Sequence, residues 1–233
     1  MFHQQKELYL ETSNMNLVII DYGSGNLKSV ENAFKNSVET NKLNFTIQVT
    51  NELELISKAD HLVLPGVGSF PDCKKGLEDV KGLVKLLTNE VINNKKKFLG
   101  ICVGMQLMVD YSLEKKRTEG FHWLDGCFKK IGKKGLDYLG RDYKIPHMGW
   151  NNLQFKHNNH PILENITENE QFYFVHSFAL NSKNTNQIIA STNYNQKIPA
   201  IIGKENYIGV QFHPEKSGNS GQKFIYNWLK WCP

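Results

Sequence analysis

The stretch from Lys97 to Gln106 constrains the fold more than any other. It reads Lys97-Phe-Leu-Gly100-Ile-Cys102-Val-Gly104-Met-Gln106, an apolar run interrupted by Gly-x-Cys-x-Gly, and a helical pattern resumes at Val103, Gln106, Leu107 and Met108. The apolar run predicts a buried strand, and the glycines predict a sharp turn into a helix with Cys102 at the turn. A nucleophile placed between strand and helix sits on strained backbone, and small neighbours let a substrate approach it. The first N–H groups of the following helix would face the sulfur and favour thiolate over thiol. Free cysteine is also among the most buried residue types, so the same stretch is compatible with an inert core thiol.

The chain before this stretch alternates between strand and helix signals. Residues 1–14 are polar and without periodicity, which predicts a flexible tail or a start at Met15. Leu17 to Asp21 reads as a fully buried strand, Tyr22 to Asn26 as a turn, and the following residues as a helix through about Lys35. Gly23 and Gly25 begin a dinucleotide fingerprint, but Lys28 stands where its third glycine belongs, so the match is weak. Phe45 to Val49 and His61 to Leu64 predict two more strands. The latter runs into Pro65-Gly66-Val67-Gly68-Ser69-Phe70-Pro71, a loop able to turn backbone N–H groups outward. Leu77, Val80, Val84, Leu87 and Val91 then recur at helical spacing and predict one amphipathic helix. Alternation of this kind predicts an α/β domain built on a mostly parallel, doubly wound sheet with reacting groups at the carboxyl ends of its strands.

After Tyr111 the pattern changes. Gly120 to Gly140 is rich in glycine and lysine and predicts a hairpin-rich surface region, and Pro146 to Asn151 reads as a turn carrying Trp150. Strand-like runs follow at Phe172 to Leu180, Ile188 to Ser191, Ala200 to Ile202 and Tyr207 to Phe212, giving a strand-rich C-terminal half. A last helix carries Phe224, Ile225, Trp228 and Leu229 on one face. With no internal repeat or linker, residues 15–233 are expected to form a single domain.

Composition excludes several classes of function. No stretch approaches the roughly 18 apolar residues of a membrane span, and the N-terminus has no signal-peptide core, so a cytoplasmic protein with no membrane partner is expected. Cys73, Cys102, Cys127 and Cys232 lie far apart without C-x-x-C spacing, which suggests neither a zinc site nor a disulfide frame. The net charge of +5 arises largely in clusters at Lys95 to Lys97, Lys115 to Arg117 and Lys129 to Lys134. Lacking interleaved aromatics, these read as solvated faces rather than a nucleic-acid site.

A cysteine nucleophile needs a histidine to manage its proton, and that histidine needs an acceptor to fix its tautomer. Of eight histidines, His213 fits best: it ends a strand, and Glu215 follows two residues on, on the same side of an extended segment stiffened by Pro214. His176 lacks an acidic residue at i+2 and reads better as a packed histidine, as does His147.

Gly100-Ile-Cys102-Val-Gly104 with His213-Pro-Glu215 resembles the class I glutamine amidotransferases, whose triad runs Cys, His, Glu in that order. Six further segments resemble the branch of that family serving histidine biosynthesis: Asp21-Tyr-Gly-Ser-Gly-Asn-Leu-Lys-Ser29, Pro65-Gly-Val-Gly-Ser-Phe70, Gly104-Met-Gln106, Pro146-His-Met-Gly-Trp-Asn151, Tyr173-Phe-Val-His-Ser-Phe178 and Gly209-Val-Gln-Phe-His-Pro-Glu-Lys-Ser217. The resemblance covers about residue 15 to the end of the chain. It implies hydrolysis of L-glutamine to glutamate and ammonia, without a cofactor or metal, through a Cys102 thioester with His213 as base and Glu215 as its orienting acid. It further implies an oxyanion hole from the Val103 N–H and from the loop at Val67 or Gly68. Gly66, Gln106, Glu114 and the backbone of Ser177 and Phe178 are implied to contact glutamine. The implied partner is a (βα)8-barrel cyclase, forming a heterodimer over the active-site mouth and faced by Asn26, Trp150 and Lys216. Three alternatives stand beside it: ammonia supply to a sugar-amidating synthase of surface polysaccharides, a non-catalytic scaffold, and a cysteine peptidase. Intact Cys102, His213 and Glu215 weigh against a scaffold, and paired Gln106 and Glu114 weigh against a peptidase.

Overall fold

Parallel strands joined by helices build the first half of the chain in a computed structural model that describes residues 14–132, 135, 140, 142–156 and 160–233. Residues 1–13 of the expected tail and part of the Lys129 to Lys134 cluster lie outside the described residues. Strand β1 (Met15–Ile20) buries its last four residues, as its unbroken apolar run demands. Helix α1 (Leu27–Thr40) turns Val30, Ala33, Phe34 and Ser37 inward at helical spacing, and runs a turn beyond the expected end because no breaking residue intervenes. Edge strand β2 (Phe45–Thr50) is half-buried. The short helix α2 (Leu53–Lys58) was not foreseen; its six residues bury only Ile56, too little for a period to show.

Strand β3 (His61–Gly66) is buried throughout. The single helix expected after it is in fact two, α3 (Phe70–Asp79) and α4 (Leu83–Thr88), followed by one π turn at Asn89–Asn93. Gly82 stands at the joint with φ 91°, a left-handed conformation that ends one helix and redirects the next. Strand β4 (Lys97–Cys102) is wholly buried and leads into α5 (Val103–Gln106). Short strands β5 (Val109–Ser112), β6 (Thr118–Glu119) and β7 (Leu124–Lys130) come next. They are followed by β8 (His147–Asn152), β9 (Gln154–Phe155), β10 (Gln171–His176) and β11 (Phe178–Asn181). Strands β12 (Ile188–Tyr194), β13 (Gln196–Lys204) and β14 (Tyr207–Val210) and helix α6 (Gly218–Lys230) complete the chain.

An eight-stranded sheet in the order β2-β1-β3-β4-β14-β13-β12-β9 spans the molecule. Its strands from β2 to β14 are parallel, and β13, β12 and β9 add antiparallel. A four-stranded sheet, β11-β7-β5-β6, and a two-stranded one, β10-β8, lie beside it. The expected turn at Pro146 to Asn151 is therefore mostly strand, since β8 pairs with β10 from His147↔His176 to Asn152↔Gln171. Pairing partners nineteen or more residues away leave no local signal.

Helices α1 and α6 meet over one face of the large sheet, where Trp228 packs edge-on against Phe34 and His61 with ring centroids 5.9 and 5.5 Å apart. Lys97 departs from the solvated clusters expected of the lysines. It is buried, and its ammonium donates to the carbonyls of Leu229 (2.9 Å) and Trp231 (2.5 Å), with Trp228 at 3.3 Å, closing the carboxyl end of α6. No helix among the described residues is long and apolar enough to cross a membrane.

Candidate active site

Cys102 ends β4 with φ 54° and ψ −108°, a left-handed backbone unusual for a side chain with a Cβ, and is only 5% exposed. The turn closes because its neighbours have no side chains: a Cβ on Gly104 would lie 1.9 Å from the Leu64 carbonyl oxygen, and one on Gly100 2.6 Å from the Gly104 oxygen. The helix beyond is a single turn rather than the longer one expected. Leu107 and Met108 give their carbonyls to Phe121 (2.7 Å) and Trp123 (2.9 Å), and the chain leaves into β5. The helix thus offers only its first-turn N–H groups, that of Val103 foremost, at this end.

His213 lies three residues past the end of β14. A 3₁₀ turn at Pro214–Lys216, not an extended tripeptide, swings Glu215 back so that its Oε1 meets His213 Nδ1 at 2.7 Å. Proline at the first position of that turn presets its backbone. The His213 backbone is held at both ends, its N–H donating to the Tyr173 carbonyl (2.9 Å) and its carbonyl accepting from Ser217 Oγ (2.6 Å). Burial alone would lower the His213 pKa, but the Cys102 sulfur and the Glu215 carboxylate outweigh it and raise it to about 10. Burial likewise opposes ionisation of Glu215, yet His213, with help from Asn26, holds the carboxyl below its usual range. With Nδ1 committed to Glu215, the buried Nε2 has no other partner and is left for the sulfur. Glu215 on one side and the Cys102 sulfur on the other thus both favour a protonated His213 ring.

A cavity of about 380 Å³ opens over Cys102 and brings together most of the residues singled out from the sequence. Val67, Gly68, Val103, Gln106, Glu114, Ser177, Phe178, His213 and Lys216 line it, with Pro146, Val175 and His176. Gly66 lies beneath, paired across β3 and β4 with Cys102. The Val67 carbonyl accepts from Ser24 Oγ at 2.7 Å and Cys73 Sγ at 3.3 Å, which pins the loop from behind. Glu114 accepts from the Phe70 N–H at the start of α3 (2.7 Å).

Two side chains in the site were not foreseen in these roles. Asn26, expected to face a partner, donates through Nδ2 to Glu215 Oε1 at 2.7 Å. Gln211 accepts from Gln106 (3.2 Å) and directs its own amide at Cys102 Sγ (3.7 Å). Position i−2 from His213 was the available hint for Gln211, whereas Asn26 reaches Glu215 from 189 residues away. Trp150 is 54% exposed beside Met148 at 61%; it packs against Tyr173, whose ring also lies 6.0 Å from the Lys216 ammonium. Trp150 and Lys216 thus share one apolar, basic surface at the cavity rim.

His176 also lines the cavity, but its ring is engaged elsewhere. It is buried and bonded to His147, and burial lowers the pair to about 4 and about 3 respectively, with the two rings and nearby His213 disfavouring further charge. Buried His61 is held neutral in the same way. Because these folded values lie below the unfolded value near 6.5, the unfolded chain binds more protons between pH 6.5 and 4, and stability falls as pH falls through that window. At pH 5 His147 and His176 each contribute about 2 kcal/mol of that loss. Denaturant titrations at pH 7 and pH 5 should show a loss about 2 kcal/mol smaller for His147→Phe than for the parent chain; equal losses would contradict the neutral pair.

The sequence profile of the family described as glutamine amidotransferase class-I matches residues 18–231. A Brucella melitensis protein named imidazole glycerol phosphate synthase subunit HisH is 41% identical over 222 residues, covering 94% of this chain and 100% of that protein. A Rhodospirillum rubrum protein of the same name is 40% identical over 219 residues, with the same coverage of both chains. Among solved structures, one described as a glutamine amidotransferase superposes with a TM-score of 0.64 at 12% identity, covering 91% of this chain and 98% of that one. A glutamine amidotransferase from Thermotoga maritima gives 0.55 at 16% identity, covering 91% and 81%.

Proposed function

This chain belongs to the class I glutamine amidotransferases, and from that premise we propose that Cys102, His213 and Glu215 release ammonia from L-glutamine for a synthase of histidine biosynthesis. The chain is the glutaminase subunit of that synthase, as full-length relatives near 40% identity support. The observation that carries the proposed roles is the Cys102 elbow facing a histidine with a free, buried Nε2 inside a cavity large enough for an amino acid.

Each group has a step. The Cys102 thiolate attacks the side-chain carboxamide, and the tetrahedral oxyanion is held by the Val103 N–H and a second backbone donor at Val67 or Gly68. His213 gives its proton to the departing ammonia, leaving a glutamyl thioester, then accepts a proton from water as that water attacks. Glu215, anchored by Asn26, keeps His213 in the tautomer this needs. Glu114 suits the α-ammonium group of glutamine, and the backbone of Ser177 and Phe178 its α-carboxylate. Gly66 and Gln106 complete the wall beneath the carboxamide.

Ammonia has to reach its acceptor before water protonates it, so a partner should close the cavity mouth. We place a (βα)8-barrel cyclase there in a cytoplasmic heterodimer, seated on Trp150 and Lys216, an exposed aromatic anchor beside a cation. Mixing the chain with a histidine-pathway cyclase and its ribonucleotide substrate, then adding glutamine, should yield equimolar glutamate and imidazole glycerol phosphate. Glutamate without coupled product from a competent cyclase would instead favour a sugar-amidating synthase.

A further inference from the structure

The Cys102 sulfur has a second side chain on it that none of the steps above employs. Gln211 is fully buried and aims Nε2 at Sγ from 3.7 Å, while its Oε1 accepts from Gln106 Nε2 at 3.2 Å. Gln106 is itself only 4% exposed, so both carboxamides are shut off from bulk water. The backbone delivers Gln211 to the sulfur in the same way that it delivers His213. The Gln211 N–H donates to the Ala200 carbonyl (2.9 Å), extending the β13–β14 pairing by one step beyond Ile201↔Val210, and the Tyr173 carbonyl takes the His213 N–H. Between them Phe212 is packed among Phe172, Phe174 and Phe224, with ring centroids 4.4, 5.8 and 5.4 Å away. Residues 211 and 213 are thereby left on the side that faces Cys102.

Chemistry fixes which end of each carboxamide meets which neighbour. A thiolate only accepts, so Gln211 must turn its N–H groups to it; its oxygen then points at Gln106, which must donate. Reversing Gln106 alone would set two oxygens together, and reversing Gln211 alone would turn its oxygen on the negative sulfur. The reaction needs such a donor at two moments, because His213 serves the departing ammonia in one half and the attacking water in the other. At both, charge leaves or returns to sulfur, and a donor already locked in place by its neighbours needs no reorganisation to meet it.

We propose that Gln211 is a catalytic residue: its carboxamide, oriented by Gln106, holds the Cys102 sulfur as thiolate before attack and receives it as thiolate when the thioester is hydrolysed. In that last step the C–S bond breaks with its electron pair returning to sulfur, and the proton of the attacking water goes to His213. The thioester half rests on the glutaminase reading above; the hold on sulfur does not. Gln211→Met keeps the length of the side chain but has no N–H. Alkylation of Cys102 by iodoacetamide at pH 7, read by mass spectrometry of its peptide, should slow about tenfold in that variant, the loss of one hydrogen bond to a charged group. Glutamine kcat should fall by about the same factor, with KM within about threefold. Gln106→Met should slow alkylation too, but add nothing in the Gln211→Met background, since it acts through the Gln211 amide; additive slowing would overturn its orienting role. Alkylation at the parent rate in Gln211→Met, or a raised KM with unchanged kcat, would overturn the proposal. Proton–nitrogen NMR keeps the test available should Gln211→Met not fold: one Gln211 side-chain proton should lie downfield in the parent chain and move upfield in Cys102→Ala, and a proton that stays in place would overturn the bond to sulfur. Slowed alkylation in a chain that does not hydrolyse glutamine would refute the functional reading and leave the hold on sulfur supported. Parent-rate alkylation with full glutaminase activity in Gln211→Met would do the reverse.

Discussion

Cys102→Ala should lower glutamine hydrolysis by about 10⁴-fold or more while leaving the fold and the cavity intact. The estimate follows from what the thiol supplies. It is the only nucleophile at the strained turn, and His213, raised to about 10 by the sulfur and Glu215, has nothing else to activate. Members of a nucleophile–base–acid unit act together, so removing one forfeits nearly all of the advantage of the three. The variant should still bind glutamine, because the contacts proposed for it come from Glu114, Gln106 and backbone groups lining the cavity. Removing the small, 5% exposed side chain disturbs little packing, so the melting temperature should stay within a few degrees. Removing the sulfur should also lower the His213 pKa, since one of the two groups that raise it is gone. Glutamate release by a coupled assay measures the first effect and calorimetric titration with glutamine the second. Substantial residual hydrolysis would move the nucleophile elsewhere, and abolished binding would mean that the sulfur shapes the cavity as well as reacting in it.

Gly104→Ala should be the most damaging single methyl that the elbow can receive. A Cβ there would sit 1.9 Å from the Leu64 oxygen and 3.0 Å from its carbonyl carbon, both backbone atoms. Leu64 cannot retreat, since β3 is wholly buried and paired with β4 from His61↔Lys97 to Gly66↔Cys102. Relief has to come from the turn itself, which would pull Cys102 and the Val103 N–H out of place. Overpacking of this kind costs about 3 kcal/mol, equivalent to a fall in melting temperature of about 6 to 12 °C for a chain of this size. Activity should fall further than stability explains, because a displacement of about 1 Å at the nucleophile is enough to lose roughly 100-fold in rate. Gly132→Ala is the control, since its added methyl would meet nothing nearer than a side-chain oxygen at 3.9 Å. Equal melting temperatures for the two variants would show that the elbow is looser than its contacts indicate.

That Cys102, His213 and Glu215 would come together was legible because their signals are short. Gly100 to Gly104 is a contiguous motif, and His213 and Glu215 stand two residues apart. Even there the local geometry differed: the pair meets across a 3₁₀ turn, and the nucleophile's helix is one turn long. Strands β1, β3 and β4 were legible for a related reason. Strands buried on both faces read as continuous apolar runs, and that pattern survives without knowledge of partners. Where burial is one-sided and polar residues interrupt the run, the signal weakens. Strand β8 alternates buried His147 with exposed Met148 and Trp150 and read as a turn; Lys97 read as solvated because nothing in its own neighbourhood announces the carboxyl end of α6.

By itself, then, the sequence determined the chemistry available: a thiol between glycines, a histidine with its acid, a loop that can offer N–H groups, and an alternating pattern that buries a parallel sheet. Only the tertiary structure decided which groups meet. It sent Asn26 inward to Glu215, set Gln211 against Cys102, and ordered Asn151, His147 and His176 into one line ending on Phe178. The reason is physical. Motifs follow from local backbone preference and burial, which neighbouring residues dictate, whereas the partner of a buried polar group is chosen by the cost of leaving it unpaired, and that is settled only when distant segments pack together.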